Sequence, residues 1–162
     1  MHQRTSTPRF TFLGLILLLS GVTVLSVVGV PWWFGRADVT LEAAAQLLAD
    51  DLQDVQNRAA LRNERLEVRF DISGGGYDAV TAKGRALRSP VGPGTFTRRY
   101  DIDAVFRGVQ VRRTSFQGSN AVAFGRMGEC LWSAQIELAF KDEVRVISIA
   151  DGSGGVKISS SN

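Results

Sequence analysis

Residues 10–30 read FTFLGLILLLSGVTVLSVVGV, 21 positions without a charged side chain. No other feature constrains the chain as much. A backbone that leaves water must satisfy its own hydrogen bonds, which favours a helix. At about 1.5 Å rise per residue that helix reaches roughly 30 Å, the thickness of a bilayer's hydrocarbon core. A removable secretory signal has an apolar region of only about 7–15 residues followed by a small-residue cut site. Here Pro31-Trp32-Trp33 closes the run instead. The expectation is a retained single span. Arg4 and Arg9 precede it and no acid occurs before Asp38, so the short basic end stays in the cytoplasm and the rest is exported. Trp32 and Trp33 fall where the helix leaves the lipid, a boundary that indoles favour. Pro31 removes one backbone donor and marks a bend there.

Beyond Gly35 the periodicity becomes one-sided. Leu41, Ala45, Leu48, Leu52, Val55 and Ala59 are spaced by alternating fours and threes, an apolar stripe on one helical face. Nothing between Arg36 and Leu61 breaks it. Leu48, Leu52 and Val55 are therefore the residues expected to fix a folded domain to the helix. Asp50, Asp51, Asp54 and Arg58 lie mostly off the stripe and read as a solvated face. As a calcium loop the acids lack the glycine and the ligand spacing.

The period then drops to two. Leu66, Val68, Phe70 and Ile72 alternate with Arg65, Glu67, Arg69 and Asp71, a strand with one buried face. GGGY (74–77) is a turn and 78–82 its returning strand. Residues 83–95, with Pro90, Gly92, Pro93 and Gly94, read as an irregular loop. Further strands are expected at 105–116, 121–124, 136–140, 144–149 and 156–158, the last introduced by DGSGG (151–155). The fold class is α+β, a long N-terminal helix with a transmembrane half and an amphipathic half, packed on antiparallel sheet. Four segments follow: a basic leader 1–9, a transmembrane helix 10–30, the exported part of the helix 31–62, and a β-rich domain 63–162.

Several chemistries are disfavoured at once. The only histidine, His2, lies in the leader, so Ser-His-Asp and Cys-His hydrolysis have no base inside the fold. The lone cysteine, Cys130, has no partner for an internal disulfide, and no Cys/His set has metal-ligand spacing. It reads as a small buried apolar residue. The glycine runs lack the Lys-Ser/Thr of a phosphate loop. No catalytic residue, cofactor or metal is expected. With Arg4 and Arg9 set aside, 17 basic residues face 16 acidic ones, a balance that does not predict a polyanion partner. The doublets Arg98-Arg99 and Arg112-Arg113 read as strand arginines paired with nearby acids rather than as a nucleic-acid contact.

An exported α+β domain on a long helix entered through FTFLGLILLLSGVTVLSVVGVP resembles the type IV pilin and type II secretion pseudopilin superfamily. Phe10 and Thr11 match its opening, Leu13 fits the apolar pattern, and Pro31 stands at the expected distance. The remainder is similar to the GspH/FimT minor pseudopilins: VQNRAALRNERLEVRF (55–70), through Arg58, Ala60 and Asn63, then FGRMGE (124–129), IEL (136–138), VRVISI (144–149) and GVKI (155–158). The resemblance implies a structural subunit in a bacterial inner membrane, single-pass, with a periplasmic domain. Implied partners are membrane lipid, other pilins and pseudopilins, the inner-membrane assembly platform and a prepilin peptidase. It assigns the anchor to Phe10, Thr11, Gly14 and Pro31.

Two positions depart from the family. Arg9 replaces the glycine that admits the backbone to the peptidase, which leaves cleavage before Phe10 and methylation of Phe10, the processing that the resemblance implies, open for this chain. Gly14 replaces the buried glutamate that meets a neighbour's terminal amine, an acid that costs about 2.5–3.5 kcal/mol at mid-bilayer. A subunit at a filament tip has no neighbour ahead and can dispense with it. The alternative is a FimT-like DNA-binding minor pilin for natural transformation. For that role the C-terminal region offers Lys141, Arg145 and Lys157 but no arginine cluster, so DNA is not an expected partner.

Overall fold

A computed structural model of the chain describes residues 36–116 and 120–160. The helix α1 spans Arg36–Arg62. Its stripe is fully buried, with Leu41, Ala45, Leu48, Leu52, Val55 and Ala59 all at 0% exposure. Ala44 joins them, and the small alanines bring the helix axis close to the strands beneath. The helix stops at Asn63, whose φ is 50°, a left-handed conformation that asparagine tolerates. There the Glu64 N–H donates to the Ala59 carbonyl (3.1 Å) and the Asn63 N–H to that of Ala60 (3.3 Å), the paired bonds that satisfy a helix C-terminus.

Eight strands follow: β1 (Leu66–Phe70), β2 (Gly76–Thr81), β3 (Thr97–Arg99), β4 (Gln110–Ser115), β5 (Ala121–Phe124), β6 (Ala134–Phe140), β7 (Glu143–Ile149) and β8 (Val156–Ser160). They form two four-stranded sheets, ordered β3-β2-β1-β5 and β4-β6-β7-β8, and every pairing is antiparallel. The helix touches β1 and β5 of the first sheet and β6, β7 and β8 of the second. One continuous core results, joining Leu48, Leu52 and Val55 to Val68, Phe124, Ile136, Leu138 and Ile147. Cys130 stitches the sheets together. It is bridged to Phe124 at the end of β5 and exchanges both backbone bonds with Gly152 before β8 (3.1 and 3.0 Å).

Three local expectations change. The first strand ends at Phe70 rather than Ile72, because the Asp71 carboxylate accepts the Ser73 N–H (3.0 Å) and turns the chain. Residues 105–109 are turns, not strand; Asp103 Oδ1 accepts the N–H groups of Val105 (2.7 Å) and Phe106 (3.0 Å). Strand β3 lies just after the stretch expected to be irregular. It exists because Phe96, 2% exposed, is drawn into the core. No helix among the described residues is long and apolar enough to cross a membrane; the span expected at 10–30 lies outside them.

Candidate assembly surface

The helix has two faces with different tasks. Its exposed side presents Ala43, Gln46, Asp50, Gln53, Asn57, Ala60 and Leu61, mostly short or neutral polar side chains. Its buried side carries two polar residues that fix how the sheets sit beneath it.

The first is Asp51, which contradicts the expected solvated face for that residue. It is 6% exposed and accepts hydrogen bonds from Tyr77 Oη (2.8 Å), Arg98 Nε (2.8 Å) and Arg98 Nη2 (3.1 Å). The fork of Arg98 thus grips the carboxylate bidentately, a geometry stronger than a neutral bond. The hydrogen bonds to Asp51 hold the Arg98 guanidinium above its ordinary range against the opposing effect of burial. Burial, with the neighbouring Tyr100 and Asp51, pushes the Tyr77 hydroxyl well above the usual tyrosine value. Arg98 also lies over the Phe96 ring (6.0 Å), and so does Arg58 (5.5 Å), which pairs with Asp54 (2.8 Å). Helix and β3 are locked together through one arginine and one phenylalanine. Sequence spacing held a signal for Asp51: it is three residues after Leu48 and four before Val55, within the width of the apolar stripe.

The second is Gln56. Its amide nitrogen donates to the carbonyls of Gly128 (2.8 Å) and Ser153 (3.0 Å). Both carbonyls belong to glycine turns, the FGRMGE and DGSGG segments. Gly154 has φ 66°, and a Cβ there would run into the Gln56 amide. A Cβ on Gly128 would come 3.2 Å from Ala60 Cβ and the Gln56 carbonyl. Two turns that look like isolated punctuation in the sequence are shaped to meet one side chain, and nothing in the local pattern around Gln56 announces it.

Of the other residues singled out, Leu48, Leu52 and Val55 lie together under the helix, all fully buried. Arg9, Phe10, Thr11, Gly14 and Pro31 lie outside the described residues. The C-terminal cations do not converge. Arg145 pairs with Glu42 (3.0 Å), Lys157 stands on the opposite face of the second sheet by register, and Lys141 sits in the β6–β7 turn against Phe140. Arg99 pairs with Asp101 (3.3 Å) and Arg112 is exposed. Cys130 is buried, and burial raises its thiol. An open cleft of about 440 Å³ on the outer face of the first sheet is lined by Arg65, Glu67, Arg69, Ile72 and Trp132. Its charges run in a mutually neutralising row, with Glu67 3.2 Å from each arginine, a poor arrangement for proton transfer.

A single amphipathic helix laid across two four-stranded antiparallel sheets defines the pilin-like α+β class. Within it, the chain has the fold of the minor pilins and pseudopilins. The type IV minor pilin FimU of Pseudomonas aeruginosa strain PAO1 superposes with a TM-score of 0.52 at 17% identity, over 74% of this chain and 87% of FimU. The minor pseudopilin EpsH of the Vibrio cholerae type 2 secretion system gives 0.56 at 15% identity, over 74% of this chain and 96% of EpsH. A second crystal form of FimU gives 0.53 at 14%, over 74% and 92%. At such identities it is the fold that is shared. No family model matches the sequence, and no curated protein matches it significantly.

Proposed function

We propose that the chain is a minor pseudopilin of a type II secretion system or a related type IV pilus, a structural subunit that initiates or caps a short filament. The observation that carries this reading is the helix itself. One face is sealed against both sheets, the other is left to neighbours, and an uncharged run of membrane length precedes it. The role is assembly rather than catalysis. Lipid-embedded segments pack side by side through van der Waals contacts, with Phe10, Thr11, Gly14 and Pro31 in the anchor, while the periplasmic domains dock laterally. Leu48, Leu52 and Val55 fix the domain to the helix. The glycine at position 14 suits a subunit with none ahead of it.

Single cysteines at Ala43, Gln46, Gln53 or Asn57 test the reading in the native membrane. Cross-links to other pilin-like subunits are expected, and their absence at all four positions would sink the proposal. Intact mass of the membrane-extracted chain reads the processing step: a start at Met1 would mean that the subunit is retained as a precursor or works outside the filament, whereas a methylated start at Phe10 would mean that the peptidase accepts arginine.

A further inference from the structure

Two ties fix which end of the domain lies beside the start of α1. Glu42 pairs with Arg145 near the beginning of β7 (3.0 Å), and Gln56 meets the Ser153 carbonyl in the turn that follows β7 (3.0 Å). Strand and helix therefore run the same way. From Arg36 to Glu42 the helix rises about 9 Å, and from Arg145 back to Asp142 the strand covers about 10 Å. The β6–β7 turn, Lys141 and Asp142, thus lies level with the first turns of the helix. Two loops adjoin that turn. A Cβ on Gly108 would come 2.9 Å from Phe140 Cε2, and one on Gly75 would come 3.7 Å from the Asp101 carboxyl carbon. The Tyr100 N–H donates to the Gly75 carbonyl (2.8 Å). The connection 100–109 and the turn 71–75 therefore form one surface with the β6–β7 turn.

That surface shows aliphatic side chains to water: Ile72 (92% exposed), Ile102 (79%) and Val105 (67%). Clustered exposed hydrophobics mark a contact with protein or membrane. Its charges nearly balance. Arg99 and Asp101 pair with one another (3.3 Å). The remaining exposed cations are Arg107, Arg112 and Lys141, and the remaining exposed acids are Asp71 and Asp142. Asp103 spends its carboxylate on the N–H groups of Val105 and Phe106. Neither sign dominates, so apolar burial rather than net charge has to select the partner.

The length of the chain says what that partner is. The uncharged run ends at Val30 and α1 begins at Arg36. However residues 31–35 run, the helix starts within roughly 20 Å of the run's end. A domain tethered so closely meets a lipid surface at an effective concentration of millimolar order, and a contact too weak to hold a free protein is then enough. We infer that, before assembly, the domain rests on the bilayer through this end, with Ile102 and Val105 entering the headgroup–acyl boundary and Ile72 beside them. Arg107 and Lys141 carry their charges on long stems and can reach lipid phosphates from there. The inference rests on the assembly reading, in which 10–30 spans the membrane, and adds to it the resting state from which a filament-initiating subunit is lifted.

The test places the full chain in vesicles of phosphatidylethanolamine and phosphatidylglycerol. Ala104→Cys, exposed between Ile102 and Val105, carries a fluorophore. Met127→Cys, exposed in the turn beside the end of the helix, carries the same one as reference. Cys130 is buried, and the chain without an added cysteine gives the background. Lipids bearing a nitroxide at the headgroup–acyl boundary are expected to quench the label at 104 several-fold more than that at 127. The difference should persist from about 0.05 to about 0.5 M salt, where screening differs strongly. Adding Ile102→Asp/Val105→Asp should lower quenching at 104 to the level at 127, with circular dichroism and thermal midpoint unchanged. Equal quenching at the two positions overturns the seating. So does a double substitution without effect, which would mean that the label itself enters the lipid, or quenching that vanishes at high salt, which would make the contact one of charge. Flotation with the vesicles and cross-linking to pilin-like subunits in the native membrane are read in parallel. A chain that floats and cross-links without preferential quenching removes the seating alone; one that neither floats nor cross-links removes both.

Discussion

The helix is tied to the two halves of the domain by opposite kinds of chemistry. Toward the first sheet it commits a charge: Asp51 meets Arg98 and Tyr77, side chain to side chain, in a nearly dry site. Toward the turn that leads from β5 into the second sheet and the β7–β8 turn within that sheet it commits a neutral amide, and Gln56 reads only backbone carbonyls. A buried ion pair holds firmly but is expensive to break, because either partner left alone is an unmatched charge. An amide on two carbonyls is cheaper to lose, but it requires backbones that come close enough, and hence glycine. The first junction is specified by side-chain identity and the second by the absence of side chains.

If that contrast is right, the largest single effect comes from Asp51→Ala. It strands Arg98 and the Tyr77 hydroxyl against apolar neighbours. Breaking a buried pair costs about 3–5 kcal/mol. Arg98 keeps 30% of its side chain in water, so the expected loss lies at the low end, about 3 kcal/mol, read from urea unfolding. A loss below about 1 kcal/mol, the range of a surface pair, would erase the distinction between the junctions.

The glycine junction is broken from the other direction, by adding a group. Gly154→Ala and Gly152→Ala both force a left-handed conformation, with φ 66° and 71°, at about 1–2 kcal/mol each. Only at Gly154 does the new methyl meet the Gln56 amide; at Gly152 nothing lies within 4 Å. Gly154→Ala should therefore be the more damaging by about 0.5–1.5 kcal/mol, the net worth of a hydrogen bond lost at a half-buried clamp. Gln56→Ala in the same background should narrow the gap. Equal midpoints for the two glycine variants would count against the amide clamp.

The first junction also has a signature in pH. Burial raises the Tyr77 hydroxyl well above 10.0 and raises Tyr100 as well. Both fold as neutral phenols. The stabilisation is fully present below the unfolded-state value and is lost as pH rises through the folded one. Unfolding free energy should fall above about pH 10 by about 1.4 kcal/mol per pH unit for each such tyrosine. Tyr77→Phe should remove one share of that slope. An unchanged slope between pH 10 and 11 would mean that Tyr77 is not the group concerned.

The amphipathic helix and most strands were legible because they are periodic. Leu41 through Ala59 repeat at helical spacing and Leu66, Val68 and Phe70 at strand spacing, and periodicity survives without knowledge of partners. The charge of Asp51 points to solvent, yet its place between Leu48 and Val55 puts it on the buried side. Strand β3 was not legible. Thr97, Arg98 and Arg99 show no alternation of apolar residues, and their strand exists because Phe96 and Arg98 are captured by a helix more than 30 residues earlier. Gln56 was invisible for the same reason, since its partners lie 72 and 97 residues downstream.

The smallest expected effect concerns a third tie, in which Glu42 pairs with Arg145 of β7 at 3.0 Å while its own side chain stays 54% exposed. It resembles Asp51–Arg98 in chemical type and differs in solvation, so it separates charge from burial as the source of the first junction's strength. Exposed pairs contribute about 0.2–1 kcal/mol and are screened by salt. Glu42→Ala should therefore move the urea midpoint only slightly, and the difference from wild type should vanish at high salt. Leu41→Ala, one residue away and fully buried, should cost about 2–5 kcal/mol at any ionic strength. The first turns of the helix are then held by apolar contact, with the ion pair setting register. A Glu42→Ala loss approaching that of Asp51→Ala would mean instead that pairing itself, wherever it sits, carries the junctions.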